Sequence, residues 1–134
     1  MAVQGQTVDE KSVLEFFDCW DAVDIDRMMS FFTPDAVYID VPLPQRDSGV
    51  EAIRAHISAT LEALSLRIET VNISSRDNVV LTERMDYISS RGSDGPSVEL
   101  PLMGVMEMKN GKIAVWRDYF DLSTLEKGLG VSFT

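Results

Sequence analysis

Three charged residues stand where the alternating pattern of two strands favours apolar side chains. Arg84 and Asp86 are two residues apart in one strand, so both point to one side of a sheet, about 6.5–7 Å apart. Asp118 interrupts the apolar face of a second strand. Because unpaired charges on such faces cost several kcal/mol each, the sequence predicts an Asp–Arg–Asp cluster in a mostly apolar hollow.

Two carboxyl groups joined by an arginine could carry out acid–base chemistry. One can act as acid and the other as base when their surroundings push their pKa values apart. An apolar pocket favours the neutral form of Asp86, whereas Arg84 favours the charged form of whichever aspartate it pairs with best. A buried cluster with a purely structural role has the same pattern, so the pattern alone leaves both interpretations open.

The second half of the chain alternates apolar and polar residues and predicts a four-stranded antiparallel meander. A turn at 76–78, a Gly-containing loop at 91–96 and the Asn110-Gly111 hairpin signal separate the strands. The strands are expected at Leu66–Ser74, Val79–Ser89, Val98–Met108 and Lys112–Phe120.

The first half predicts three helices. Thr7–Glu10 has the spacing of a capping box and opens a helix to about Trp20. Asp24 can cap a second, short helix, which Thr33–Asp35 ends. Ser48–Glu51 is a second capping box, and the helix after it has apolar residues at three- and four-residue steps.

One strand is expected between the second and third helices. It covers Ala36–Val41, with Tyr38 and Asp40 on the same face, and Pro42–Asp47 follows as a loop. His56 lies off the apolar stripe of the third helix, which favours a solvated or rim position over a catalytic one.

This order of elements predicts an α+β fold. We expect a curved, mixed, mostly antiparallel sheet of four to six strands packed against three to four helices, forming a cone with an internal pocket. The chain is interpreted as one domain over 1–134, with 1–6 as a disordered tail. The two-residue period of the strands places five residues on the inner face of the sheet, where they would line the pocket: Ile88, Leu100, Leu102, Trp116 and Phe120. If the interior is not hollow, these residues would be ordinary core.

The composition of the chain narrows the classes of ligand and partner that it could bind. A net charge of −10 argues against nucleic acid and anionic membrane surfaces, and favours a neutral or cationic ligand. The single cysteine, Cys19, excludes a disulfide within the chain, and together with the lack of a long apolar run or signal peptide it favours a cytoplasmic protein. The sequence has no cluster of cysteine and histidine residues of the kind that binds zinc, so no metal site is predicted.

Three separated segments resemble the limonene epoxide hydrolases, which have the nuclear-transport-factor-like or SnoaL-like fold shared with ketosteroid isomerases and scytalone dehydratase. The segments are Tyr38–Pro44, Leu81–Asp86, and Leu100–Val105 running on to Trp116–Asp121. They occur in the expected order and cover most of the C-terminal two-thirds of the chain.

The resemblance implies one-step hydrolysis of a small apolar epoxide to a vicinal diol, without a covalent intermediate, metal or cofactor. The carboxylate matching Asp118 would take a proton from the attacking water. The carboxyl group matching Asp86 would donate a proton to the epoxide oxygen, and Arg84 would bridge the two. Tyr38 and the residue at position 40 would hold the water.

Position 40 departs from the family pattern, because Asp40 stands where the family has a water-holding asparagine. An amide donates and accepts hydrogen bonds, whereas an ionised carboxylate only accepts them. Asp40 could therefore stay protonated and mimic the amide, share or take over the base role of Asp118, or serve a reaction in which water is not the nucleophile.

Other activities of related proteins also fit these residue types. Related cyclases open an epoxide with a hydroxyl group of the same substrate, ketosteroid-isomerase-like proteins move a proton beside a carbonyl, and scytalone dehydratase eliminates water. A non-catalytic small-ligand-binding domain is a further alternative. A homodimer is expected because the outward sheet face keeps apolar residues, namely Leu81, Met85, Met103, Val105 and Val115.

Overall fold

Six strands form one curled, unclosed sheet with four helices, which confirms the predicted α+β class. The computed structural model describes residues 3–92 and 94–133. In chain order the elements are α1 (Val8–Ala22), α2 (Ile25–Met29), β1 (Phe32–Asp40), β2 (Arg46–Ser48), α3 (Val50–Ala63), β3 (Leu64–Arg76), β4 (Val79–Ser90), β5 (Ser97–Lys109), β6 (Lys112–Phe120) and α4 (Leu122–Leu129).

The strand order is β2-β1-β6-β5-β4-β3, and all neighbours are antiparallel except β1 and β6, which are parallel. The predicted meander corresponds to β3–β6. Its hairpin turn at Asn110 and Gly111 has positive φ at both residues, 51° and 79°, as the hairpin signal requires. The parallel pairing of β1 with β6 brings the N-terminal strand beside the C-terminal one.

Local capping signals locate the first two helices. The Thr7 side chain accepts from the Glu10 amide, and the Asp24 side chain accepts from the Arg27 amide, as predicted. Helix α1 runs two residues past the predicted end, to Ala22. Of the segment predicted as a tail, residues 1 and 2 lie outside the described part, and the Gln6 amide donates to Glu10 Oε1 at 2.9 Å.

Residues 32–49 differ most from the sequence-based expectation. Strand β1 begins at Phe32 and runs through Pro34, with a register irregularity before Val37 that accommodates the proline. The expected loop over 42–47 ends in β2, which pairs with β1. The predicted cap by Ser48 is wrong: Ser48 belongs to β2, and Gly49, with φ 91°, caps α3 without a side-chain hydrogen bond.

Sequence reasoning did not locate α4. Its cap is Asp121, whose carboxylate accepts from the Thr124 amide at 3.0 Å and from the Thr124 hydroxyl at 2.6 Å. It ends at Gly130, with φ 70°. The helix buries Leu125 and Leu129 against a small aliphatic cluster, separate from the main aromatic core of α1, β1 and β6. Across residues 3–92 and 94–133, no helix combines the length and apolarity needed to cross a membrane.

Candidate active site

Strand register brings the predicted site residues onto one face of the sheet. Tyr38 and Asp40 of β1 are paired with Trp116 and Asp118 of β6. Because directly paired residues project to the same side, these four side chains share the inner face. Strand β5 pairs with both β6 and β4, so Arg84 of β4 reaches the same face from the other direction.

Arg84 lies between two carboxylates. Its Nε and Nη2 donate to the two oxygens of Asp86 at 3.3 and 3.0 Å, and its Nη1 and Nη2 donate to Asp118 at 3.0 and 3.1 Å. The guanidinium carbon is 4.5 Å from the centre of the Phe17 ring. All three charged side chains are buried, and that of Arg84 is only 1% exposed. The predicted Asp–Arg–Asp cluster is therefore confirmed.

Gly104 makes room for this cluster, and sequence reasoning missed it. It pairs with Thr82 on one side and Asp118 on the other. A Cβ at this position would lie 2.8 Å from Arg84 Nη1 and 2.8 Å from Asp118 Oδ1. A glycine inside a strand often marks a close approach of other groups, and this is the signal that could have identified it.

Burial and mutual charge shift the pKa values of Arg84 and Asp86. Burial alone would lower the pKa of Arg84, but the carboxylates of Asp118 and Asp86 raise it above its usual value, so the guanidinium stays charged. Burial raises the pKa of Asp86, and this outweighs the opposite effect of Arg84. The Asp86 carboxyl group is therefore easier to protonate than an ordinary aspartate.

Asp118 accepts more donors than Asp86. Its Oδ1 accepts from Arg84 Nη1 and from the Trp116 indole at 2.7 Å, while its Oδ2, among residues 3–92 and 94–133, accepts from Arg84 Nη2 alone. Three donors stabilise the ionised carboxylate. Because a carboxylate oxygen has two acceptor sites, Oδ2 retains one for a water or substrate proton.

Tyr38 and Asp40 lie beside Asp118. The Tyr38 ring stacks on the Trp116 ring at 4.1 Å and 10°, which fixes its position. Burial first, and the charges of Asp40 and Asp118 next, raise the pKa of Tyr38 well above its usual value, so its hydroxyl keeps its proton. Burial and the Asp118 carboxylate raise the pKa of Asp40 to about 7, although a hydrogen bond from Tyr38 opposes the shift.

These groups face a cavity of about 140 Å³. For comparison, a dry engineered cavity of about 150 Å³ in another protein binds benzene. Four polar residues of the sheet, Tyr38, Asp40, Asp86 and Asp118, form its polar wall. The remaining wall is mostly aliphatic and includes four of the five residues predicted to line a pocket: Ile88, Leu100, Leu102 and Phe120.

The prediction that Trp116 lines the pocket is wrong, because Trp116 is not part of the cavity wall. Its side chain is 1% exposed and packs behind Tyr38, with the Phe16 ring edge-on at 5.2 Å. Face parity placed Trp116 on the correct side of the sheet, but the Tyr38 ring covers it. Its contacts with the site are the stacking on Tyr38 and the hydrogen bond to Asp118.

Several cavity residues were not identified from the sequence. Leu125, Leu129 and Phe133 come from α4 and the residues after it. His56, expected at a solvated or rim position, has a side chain that is only 18% exposed and lies in the cavity wall, bonded through Nδ1 to Asp47. In residues 3–92 and 94–133, no three His, Cys, Asp or Glu side chains are arranged as ligands for a metal ion.

The curled, unclosed six-stranded sheet packed against four helices places the chain in the nuclear-transport-factor-like fold class. The model of the SnoaL-like domain matches residues 13–116. The chain belongs to the SnoaL-like family.

The epoxide hydrolase EphG of Mycobacterium tuberculosis is 29% identical over 119 residues, which cover 88% of this chain and 76% of that protein. Among solved structures, an M. tuberculosis epoxide hydrolase described as like limonene epoxide hydrolase superposes with a TM-score of 0.80 at 26% identity, covering 91% of this chain and 89% of that one. The epoxide hydrolase/cyclase-like enzyme SalBIII shares the fold at 19% identity, with a TM-score of 0.77 and coverage of 87% and 92%. These relatives support the resemblance to limonene epoxide hydrolases.

Proposed function

We propose that this protein is an epoxide hydrolase that adds water to a small apolar epoxide and forms a vicinal diol in one step. The observation that carries the proposal is a single arginine that bridges two buried carboxyl groups, both of which reach an apolar cavity. The epoxide hydrolase relative, which aligns over most of this chain, supports the same reaction.

Asp86 is the proposed general acid. Its pKa is raised by burial, so a protonated form can enter the reaction and donate its proton to the epoxide oxygen as the C–O bond breaks. Arg84 stays charged beside it and stabilises the carboxylate that remains after proton transfer.

Asp118 is the proposed general base. Its charged form is stabilised by Arg84 and Trp116, and Oδ2 has an acceptor site left for the proton of the attacking water. The water oxygen then forms the new C–O bond while Asp118 takes the proton. Because a positioned acid or base contributes about 10²–10⁴-fold, each carboxyl group should be worth several kcal/mol of barrier.

Tyr38 and Asp40 are the proposed holders of the water. The Tyr38 hydroxyl stays protonated, and Asp40 is protonated below about pH 7 and ionised above it. In its protonated form Asp40 can donate and accept hydrogen bonds, as an amide does. We therefore assign Asp40 the role of a protonated water holder rather than that of the base.

Ring closure by a substrate hydroxyl is the second candidate, because the nearly neutral pKa of Asp40 would also suit a base that takes a proton from such a hydroxyl. Single turnovers in oxygen-18 water distinguish the two. Hydrolysis by direct attack puts the label into the diol in the first turnover, with Asp118→Asn as the background control. An unlabelled cyclic product would instead establish ring closure, and an unlabelled diol would indicate a covalent ester intermediate.

The substrate range should be tested with terpene, styrene-type and cycloalkene epoxides, which differ in size and so measure what a cavity of about 140 Å³ admits.

We further propose a cytoplasmic homodimer that pairs through the outer sheet face, where Leu81 and Met103 are 47% and 51% exposed. Sedimentation equilibrium should show a dimer that Met103→Lys weakens and Val8→Lys, on α1, does not. A monomeric wild type would contradict the dimer.

A further inference from the structure

Asp47 and His56 form a second polar pair at the cavity. Strand β2 places Asp47 directly opposite Tyr38, so both project to the inner face. Asp47 Oδ2 is bonded to His56 Nδ1, and Asp47 Oδ1 accepts from the Gln45 side chain at 3.0 Å. Asp47 is 8% exposed, so it is a buried carboxylate whose partner is an imidazole.

This pairing fixes the orientation of the imidazole. Asp47 and Gln45 occupy the Nδ1 side, which leaves Nε2 as the nitrogen for the cavity or solvent. The ring is stacked on Tyr38 at 5.1 Å and 25°, and it forms part of the cavity wall while remaining partly exposed. His56 therefore connects the polar wall with the outside.

The proposed hydrolysis needs such a connection. Each turnover leaves a proton on Asp118 and removes one from Asp86, so the two carboxyl groups must be reset. Arg84 lies between them but stays charged, and it has no lone pair with which to accept a proton. The proton must therefore leave through the cavity side of Asp118, where Asp40 is its neighbour across the parallel strands.

We propose that His56, oriented by Asp47, is the proton carrier between the polar wall and solvent, an inference that rests on the proposed hydrolysis. Protonated Asp40 gives its own proton to His56 Nε2, which releases it to solvent, and Asp40 then takes the proton that Asp118 accepted from water. Asp86 takes up a proton from water that enters after the diol leaves. One proton is released and one is taken up in each turnover, so the enzyme returns to its starting protonation state. The titratable groups that face the imidazole are Asp47 on β2, and Tyr38 and Asp40 on β1.

The kinetic test separates the chemical step from the reset. In His56→Gln, whose amide can still donate to Asp47, the single-turnover rate should stay within about twofold, while kcat should fall at least about tenfold and recover when imidazole is added. Arg54→Gln, on the same helix and paired with the exposed Asp26, is the control and should change neither rate. Equal loss in both rates, or no loss in either, would overturn the proposal.

A second test does not need turnover. His56 is the single histidine of the sequence, so its ring signals in NMR spectra are unambiguous. In Asp40→Asn the pH dependence of these signals should differ from that of the wild type, because the Asp40 carboxyl group changes its own charge near pH 7 and the amide does not. Asp26→Asn, whose carboxylate is exposed, should leave it unchanged. Identical curves for wild type and Asp40→Asn would overturn the proton link. A clear shift in a protein that opens no epoxide would refute hydrolysis but support the link.

Discussion

The polar wall and the wall formed by α4 are built in different ways. The polar wall stands on β1, β4 and β6, each of which has a paired strand on both sides. Two of its carboxyl groups, Asp86 and Asp118, are held by four hydrogen bonds from Arg84. We therefore expect the reacting groups to be rigidly positioned.

The α4 wall depends on a single helix of eight residues. Leu125 and Leu129 close the cavity and pack with a small aliphatic cluster that is separate from the main core. The contacts are apolar, so they determine shape rather than chemistry. The difference suggests that changes in the polar wall alter rate for every substrate, whereas changes in α4 alter which substrates fit.

Arg84→Gln should damage the polar wall most. It leaves two buried carboxyl groups without their shared cation, which should lower the free energy of unfolding by about 3–5 kcal/mol. Urea unfolding at pH 7 measures this. Arg54→Gln, a surface control, should cost less than about 1 kcal/mol. If the two variants are equally stable, the cluster does not hold the sheet together.

Asp118→Asn should retain the fold but lower kcat by about 10²–10⁴-fold, because it removes the proposed base. The factor should be similar for every accepted epoxide, measured alongside thermal unfolding. Asp40→Asn is the matched variant: it should keep a substantial single-turnover rate, because the amide can still hold the water, while kcat should fall with the loss of the proposed proton route. An active Asp118→Asn beside an inactive Asp40→Asn would transfer the base role to Asp40.

Gly104→Ala tests the space that the polar wall needs. The added methyl group would meet Arg84 Nη1 and Asp118 Oδ1 at 2.8 Å, so we expect a stability loss of about 1–3 kcal/mol together with a lower rate. Val8→Ala, exposed on α1 and outside the proposed dimer face, is the control for stability and rate. Unchanged rate in Gly104→Ala would show that the cluster tolerates displacement.

Leu129→Ala tests the α4 wall. It should cost about 2 kcal/mol of stability, at the lower end for a buried leucine because the side chain already borders a cavity. Activity on small epoxides should change little, while larger epoxides should become substrates in a competitive assay. Val8→Ala, exposed on α1 and outside the proposed dimer face, provides the control. The same substrate range in both variants would remove α4 from the determination of specificity.

The pH profile provides a test of Asp40. Its pKa of about 7 means that the wild type loses the protonated water holder as the pH rises, so kcat/KM should fall through about pH 7. In Asp40→Asn the amide does not titrate, and any remaining fall should occur at a different pH, set by Asp86. Superimposable profiles would show that Asp40 does not titrate during catalysis.

Much of the sheet could be predicted from the sequence because its signals are local. Alternation and the Asn110-Gly111 turn located β3–β6 to within a few residues. Strand β2 was missed because three residues have no periodicity to read, and its existence depends on pairing with β1. Helix α4 was missed although Asp121 caps it. Its apolar side chains pack against residues of β5, a tertiary contact that no local pattern shows.

The sequence by itself determined that Arg84, Asp86 and Asp118 carry charge on inward faces, since the two-residue period of a strand fixes the side to which each residue points. Only the tertiary structure decided what those faces meet. Register between strands distant in sequence put Gly104 beside the cluster and Trp116 behind Tyr38, and the packing of α3 on β2 joined His56 to Asp47. Such contacts depend on the relative positions of separate elements, which no local pattern encodes.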